Sequence, residues 1–163
     1  MNRPGIVHRD EVQPQRLDRP GFASARRQLG RPAGGRGLGC SHMEVPPGAA
    51  AWPYHWHAGN EEAIYVLQGR GTLRRGDGRF PIAAGDYVAL PPGPEHAHQL
   101  INDGEESLVY LCLSTQREPD IGVYPDSGKV GLFVGSAPGG PKEERSLHCF
   151  LRADAEVDYW DGE

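Results

Sequence analysis

Glycine and proline are so frequent in this chain that long helices have little room to form. The sequence holds 23 glycines and 15 prolines among 163 residues. Glycine supplies the backbone angles that tight turns need, and proline interrupts a helix because it lacks an amide donor. Turn residues at this frequency divide a chain into short segments, which suits strands better than helices. We therefore predict an all-β protein.

Short runs rich in β-branched and aromatic residues recur through the middle of the chain. Their spacing, about 8 to 12 residues, is typical of a sandwich or barrel. The predicted strands are Cys40–Val45, Ala63–Leu67, Thr72–Arg75, Arg79–Ile82, Tyr87–Leu90 and Leu108–Ser114, with a later one over Val130–Val134. One weaker segment, residues 20–29, allows a short helix.

The composition along the chain suggests one barrel with an addition at each end. We expect an N-terminal arm over 1–36, a barrel core over 37–115 and a C-terminal extension over 116–163 that packs on the barrel. Tyr159 and Trp160 near the end are expected to dock, because a free tail would leave both rings in water. The basic pair Arg74 and Arg75 is expected to protect a sheet edge.

Charge and composition argue against several classes of protein. The formal net charge of −5 disfavours a nucleic-acid or anionic-membrane partner, since both require a clustered basic face. No apolar run is long enough to span a membrane, and the first residues lack the apolar segment of a signal peptide. The 3 cysteines include no CxxC pair, so they suit neither a disulfide framework nor a zinc knuckle. We predict a reduced, cytoplasmic protein.

Two histidines and a glutamate are grouped just before the run Ala63–Leu67. His55 and His57 are two residues apart, so in an extended segment their side chains point to the same face. A turn through residues 58–60 would bring the chain back and let Glu62 face the same cavity. Imidazole and carboxylate groups gathered in this way can bind a metal ion.

This segment resembles the first of the two sequence motifs of the cupin superfamily. That motif is a glycine, an H-x-H pair, a glutamate separated from the pair by four residues and a glycine separated from the glutamate by six. It is carried here by Gly48, His55, His57, Glu62 and Gly69. Six residues separate Gly48 from the first histidine, where the family pattern has five.

The second motif of the family follows one hairpin later. It reads G-x5-P-x-G-x2-H and is carried by Gly85, Pro91, Gly93 and His96. The resemblance spans about residues 48–102. It implies a double-stranded β-helix, or jelly-roll barrel, in which the first motif supplies two histidines and a glutamate to a metal and the second supplies a further histidine.

The resemblance thus implies His55, His57 and Glu62 as ligands and leaves the fourth ligand open. His96 has the spacing of the second motif. His98 instead fits the H-x3-N pattern completed by Asn102. We favour His98 as the fourth ligand, and we expect His96 to line the pocket mouth as a candidate general base.

A site of three imidazoles and one carboxylate suits one divalent transition metal such as Zn, Fe, Mn or Ni, with Zn or Fe favoured. Metal binding requires neutral imidazoles, so the affinity should fall as the pH drops through about 6.5. Up to two coordination positions would stay open for a small molecule. The resemblance also implies a homodimer.

Two functions fit this site. The first is a metal-dependent isomerase, lyase or dioxygenase that acts on a small oxygenated metabolite such as a sugar, hydroxy acid or oxo acid. The second is a non-catalytic protein that binds or senses a sugar or an organic acid. A sugar phosphate would require a basic side chain in the cavity, and the sequence alone assigns none there.

Overall fold

The computed structural model describes residues 3–163, and most of its regular structure is strand. Across this range thirteen strands are present: β1 (Gln15–Arg19), β2 (Phe22–Gln28), β3 (Leu38–Val45), β4 (Trp56–His57), β5 (Glu62–Gln68), β6 (Arg70–Arg75), β7 (Gly78–Ala83), β8 (Tyr87–Leu90), β9 (His98–Ile101), β10 (Leu108–Thr115), β11 (Asp120–Tyr124), β12 (Lys129–Val134) and β13 (Leu147–Arg152). Single 3-10 turns lie at Arg9–Glu11, Pro94–His96, Pro125–Ser127 and Lys142–Glu144. Within the same range, no helix has the length and apolar character needed to cross a membrane.

The strands form three antiparallel sheets arranged as a jelly roll. The largest sheet has the order β1-β2-β3-β10-β5-β8, the second β13-β12-β11-β4 and the smallest β7-β6-β9. The all-β prediction is confirmed, and all seven predicted runs lie within strands. The arm and the extension also contribute to the sheets, because β1 and β2 continue the sheet of the core strands and β11 to β13 build most of the second sheet.

The helix suggested for residues 20–29 is wrong. Phe22–Gln28 is strand β2, which pairs with β1 across a turn at Pro20 and Gly21. Gly21 has a φ of 78°, a conformation that favours glycine. On its other side β2 pairs with β3. These ladder hydrogen bonds outweigh the weak helical preference of the segment, which was inferred from local sequence alone.

The core lies between the sheets and follows the alternation of the strands. Ile64 and Val66 on β5 point inward, and they face Cys112 and Tyr110 on β10. The buried cluster is completed by side chains of the same inner faces, namely Met43, Val45, Leu73, Ile82, Val88, Leu90, Leu100 and Leu108.

Two expectations about exposed residues are also wrong. Arg74 and Arg75 lie on β6, the central strand of its sheet, and therefore guard no edge. Arg74 instead pairs with Asp126 through two hydrogen bonds of 2.6 and 2.8 Å. Tyr159 and Trp160 do not dock: they are 84% and 73% exposed. Their rings contact each other, with centroids 4.9 Å apart, beyond the last strand of the second sheet.

Asn102 fastens the end of β9 to the neighbouring chain segments. Its side chain is fully buried, and its amide nitrogen donates to the carbonyl oxygens of Val45 at 2.7 Å and Glu106 at 2.8 Å. Its amide oxygen accepts from the backbone nitrogen of Gly104 at 3.0 Å. These bonds satisfy backbone groups that would otherwise be buried without a partner.

We expect Asn102→Ala to lower the free energy of unfolding by roughly 2–3 kcal/mol, because a buried carbonyl left without its donor carries a desolvation cost. Urea denaturation followed by circular dichroism measures the change. Glu105→Ala, at an exposed position of the same turn, is the control and should change stability by less than about 0.5 kcal/mol. Equal effects of the two substitutions would contradict this role of Asn102.

Candidate metal centre

The backbone brings the two histidine segments together. His55 and His98 form an isolated antiparallel bridge, with backbone N–O distances of 2.8 and 3.1 Å. Residues directly opposite each other in such a pair have adjacent side chains, and the two imidazole centroids are 4.7 Å apart. His57 follows on β4, where it pairs with Gly122 on β11. The local pairing therefore gathers the three rings before any ligand binds.

Glu62, the first residue of β5, lies at the centre of these rings. Its Oε2 atom is 3.3 Å from Nε2 of His98, 3.7 Å from Nε2 of His57 and 4.0 Å from Nε2 of His55. The ligand atoms of His55, Glu62 and His98 all lie within 4.8 Å of one another. A metal ion fits between such atoms because it draws donors to about 2.0–2.2 Å.

The opposite nitrogen of each imidazole is held by an acceptor. Nδ1 of His55 donates to the carbonyl oxygen of Pro53 at 2.8 Å, and Nδ1 of His98 donates to that of His96 at 3.0 Å. Nδ1 of His57 donates to Oδ2 of Asp120 at 2.7 Å. Since these partners can only accept, the proton of each neutral ring lies on Nδ1 and the Nε2 lone pair is free. This arrangement is typical of metal-binding histidines.

His55 and Glu62 have the protonation states that this donor set needs. The pKa of His57 is raised, because its hydrogen bond to Asp120 and the charge of Glu62 outweigh the lowering effect of burial. Burial, with the nearby His98, lowers the pKa of His55 to about 3, so this ring is neutral at physiological pH. Burial alone would raise the pKa of Glu62, but the close approach of His98 and of the other two imidazoles lowers it to about 2. The cluster therefore presents a neutral imidazole and an ionised carboxylate, the forms that bind a metal.

His96 lies apart from the cluster, so the expectation that it lines the pocket mouth is wrong. The strand alternation behind that expectation does not apply, because β9 begins at His98 and His96 ends a 3-10 turn. Nδ1 of His96 contacts the guanidinium of Arg75, and its Nε2 lies 3.5 Å from Oε1 of Glu95. Among the residues described, those lining the cavity include His98 and not His96. The general-base role of His96 loses its structural basis.

The four residues of the cluster line a cavity of about 800 Å³ between the two larger sheets. Tyr124 and Phe133 form part of the wall supplied by the second sheet. The Tyr124 ring stacks on His55, with centroids 5.8 Å apart and planes 18° from parallel. The opposite wall carries polar groups from the first sheet, including Arg26 and Ser41. A cavity of this size holds a molecule considerably larger than a bare anion.

Sequence reasoning missed three residues of this site. Asp120 and Tyr124 belong to the extension, and Arg26 belongs to the arm, so all three lie outside the matched motifs. Asp120 is fully buried and also accepts from the backbone nitrogen of Gly59 at 2.9 Å. In the sequence, the one available signal for Asp120 is an acidic residue at the start of a short β-like run. Its contact with His57 depends on the pairing of β11 with β4.

The comparisons with known proteins agree with this architecture. The family model for the cupin domain matches residues 41–114. A proposed sugar phosphate isomerase from Acidithiobacillus ferrooxidans is 29% identical and superposes with a TM-score of 0.78 over 94% of this chain and 96% of that chain. This chain belongs to the cupin superfamily.

Two further relatives extend the comparison of this cupin. A sugar phosphate isomerase of the cupin superfamily from Silicibacter pomeroyi is 21% identical, with a TM-score of 0.79 over 96% of this chain and 98% of that one, and shows the shared fold. The oxalate-binding protein of Thermotoga maritima is 32% identical over 73 residues, which are 45% of this chain and 58% of that protein. The cupin spans about half the length of the curated relatives it matches.

We expect Asp120→Asn to weaken metal binding by about 10- to 100-fold, because the neutral amide stabilises the Nδ1 proton of His57 less well than the carboxylate does. Metal titration with a competing chelator measures the affinity. Asp126→Asn removes an exposed carboxylate that touches no histidine of the cluster, so it should leave the affinity unchanged. The same affinity for wild type and Asp120→Asn would refute a role for Asp120 in orienting the ring.

Proposed function

We propose that this cupin is a metal-dependent enzyme that acts on a small oxygenated metabolite, such as a sugar, hydroxy acid or oxo acid. His55, His57, Glu62 and His98 would hold one divalent transition metal, for which zinc or iron suits the donor set. The observation that carries the proposal is the common orientation of three Nε2 atoms toward the Glu62 carboxylate, with each ring fixed by an outward hydrogen bond.

This donor set supports an open metal site better than a closed structural one. Cys40 and Cys112 line the same cavity, but burial raises the pKa of both thiols and keeps them in the protonated form that does not bind metal. Four protein donors leave an octahedral ion with positions for two ligand oxygens. When bound, the metal supplies Lewis acidity to those oxygens.

The residues around the cluster would position the ligand and keep water away from it. Asp120 holds the His57 ring in place, and Tyr124 covers one face of His55. Burial raises the pKa of Tyr124, so its hydroxyl stays protonated and able to donate a hydrogen bond. The apolar ring of Phe133 in the same wall limits the water that can reach the reacting end of the cavity.

A phosphorylated sugar is a reasonable candidate for the substrate. The solved relative from Acidithiobacillus ferrooxidans, which covers 94% of this chain, is a proposed sugar phosphate isomerase. The objection from sequence was the missing basic group, and Arg26 of β2 lines the cavity. Isomerisation of such a sugar is therefore the reaction that we would test first.

A binding or sensor protein is the second candidate. It is favoured by the similarity to an oxalate-binding protein and by the position of His96, which is not among the described residues that line the cavity. Such a protein would use the same metal and cavity without turnover.

We expect wild-type protein, purified without a histidine tag, to contain about one transition metal ion per chain when measured by elemental mass spectrometry. His98→Ala should lose most of this metal because one of four donors is gone, whereas His96→Ala should retain it. Retention by His98→Ala together with loss from His96→Ala would contradict the ligand set.

Turnover separates the two candidate functions. Metal-loaded protein incubated with a five- or six-carbon aldose phosphate should convert it to the ketose phosphate, which proton NMR detects directly. His98→Ala is the control and should be inactive. A rise in melting temperature with the sugar phosphate but no conversion would favour the binding protein instead, because ligand that binds the folded state stabilises it without being changed.

A further inference from the structure

Arg26 is a half-buried cation that has no carboxylate at ion-pair distance among the residues described. Arg26 and Arg27 are neighbours on β2 and point to opposite faces of the sheet. Arg27 forms an ion pair with Glu44 on the outer face. On the inner face, no carboxylate of residues 3–163 pairs with Arg26. Removing a charge from water without pairing it costs desolvation free energy. We therefore expect an anionic ligand to compensate the charge of Arg26.

The protein uses little of the hydrogen-bonding capacity of Arg26. Its Nε donates to Oγ of Ser41 at 3.0 Å, and one terminal nitrogen makes a long contact of 3.5 Å with the carbonyl oxygen of Gly139. Arg145, another arginine of the cavity wall, differs because it donates to four backbone carbonyls of the loop 136–140. Arg26 is therefore held in place through Nε while the outer edge of its planar guanidinium faces the cavity.

The position of Arg26 relative to the metal cluster follows from the sheet register. Ser41 on β3 faces Cys112 on β10, which faces Ile64 on β5, two residues beyond Glu62. At about 4.8 Å between strands and 3.3 Å per residue, the guanidinium lies on the order of 10 Å from the Glu62 carboxylate. After allowance for the metal–oxygen bond at one end and the hydrogen bond to Arg26 at the other, this distance matches a ligand with a chain of about six carbon atoms.

The charges in the cavity point to the same class of ligand. A divalent ion bound by Glu62 retains one positive charge, and Arg26 adds a second at the other end. Burial lowers the pKa of Arg26, which indicates that its surroundings solvate the cation poorly. A ligand with an anionic group at each end would neutralise both charges.

We propose that Arg26 is the specificity-determining residue of the cavity, and that it binds an anionic group, carboxylate or phosphate, at the end of the ligand away from the metal. The inference rests on the proposed metal-dependent function, because the metal would hold the other end. Arg26 binds the ligand in this scheme and takes no part in bond making.

Three acids that share a metal-binding end test the proposal. Gluconate, glucarate and 6-phosphogluconate each carry a hydroxyl next to a carboxylate, and they differ at the far end, which is neutral, a carboxylate and a phosphate respectively. Isothermal titration calorimetry on metal-loaded wild-type protein should give glucarate or 6-phosphogluconate an affinity about 10- to 100-fold above that of gluconate, as expected for hydrogen bonds to a charged group. The tighter of the two identifies the preferred anion.

In Arg26→Gln this preference should disappear, whereas binding of gluconate should change less than threefold. Arg26→Lys keeps the charge but not the fork-shaped donor group, and should retain part of the preference. Arg79→Gln removes an equal charge from an exposed position on β7 outside the cavity, so it should behave as wild type. Equal affinities of the three acids in wild type, or a preference that survives in Arg26→Gln, would overturn the proposal.

Two controls separate this proposal from its alternatives. If Arg26 served only to hold Ser41 and Gly139, Arg26→Gln would lower the melting temperature without ligand, whereas removal of an unpaired half-buried charge should leave it unchanged or raise it. Metal-free wild type should bind all three acids more weakly by a similar factor. If removing the metal has no effect, the proposed metal function fails even where the preference for a second anion persists.

Discussion

The hydrogen bonds on the outer nitrogens of His55, His57 and His98 are the interactions on which the candidate site depends. An imidazole can present either nitrogen, and its ring can rotate, so gathering three histidines does not by itself create a binding site. The acceptors at Pro53, His96 and Asp120 fix both choices. Because two of these acceptors are backbone carbonyls, the folded chain orients the rings without requiring a further side chain for each.

The two larger sheets give the cavity walls of different character. The first sheet contributes Glu62 and, several strands away, Arg26, so its inner face carries opposite charges separated along one surface. The second sheet contributes Asp120, which supports a ring from behind, and the aromatic side chain of Tyr124. A ligand between them would meet charge on one side and a flat aromatic surface on the other, which favours an oriented molecule over a freely turning one.

The ends of the chain are essential to this arrangement. Without β2 the cavity would lose its unpaired cation, and without β11 His57 would lose its carboxylate. Composition suggests a barrel core with an arm and an extension. The functional groups do not follow that division, because Arg26 belongs to the arm and Asp120 to the extension. Antiparallel pairing explains the difference, because an edge strand of the core recruits any neighbouring segment that can complete its hydrogen bonds.

Strand periodicity and the H-x-H spacing are local features, so the amino-acid sequence is enough to predict the fold class, the central strands and the grouping of His55, His57 and Glu62. It also favoured His98, the histidine that lies in the cluster, through the spacing to Asn102. The tertiary structure is needed to see that His96 turns away, that residues 22–28 are a strand, that Asp120 contacts His57 and that Arg26 lines the cavity. These outcomes depend on which distant strands pair, and that choice is made by the free energy of the whole sheet and not by neighbouring residues.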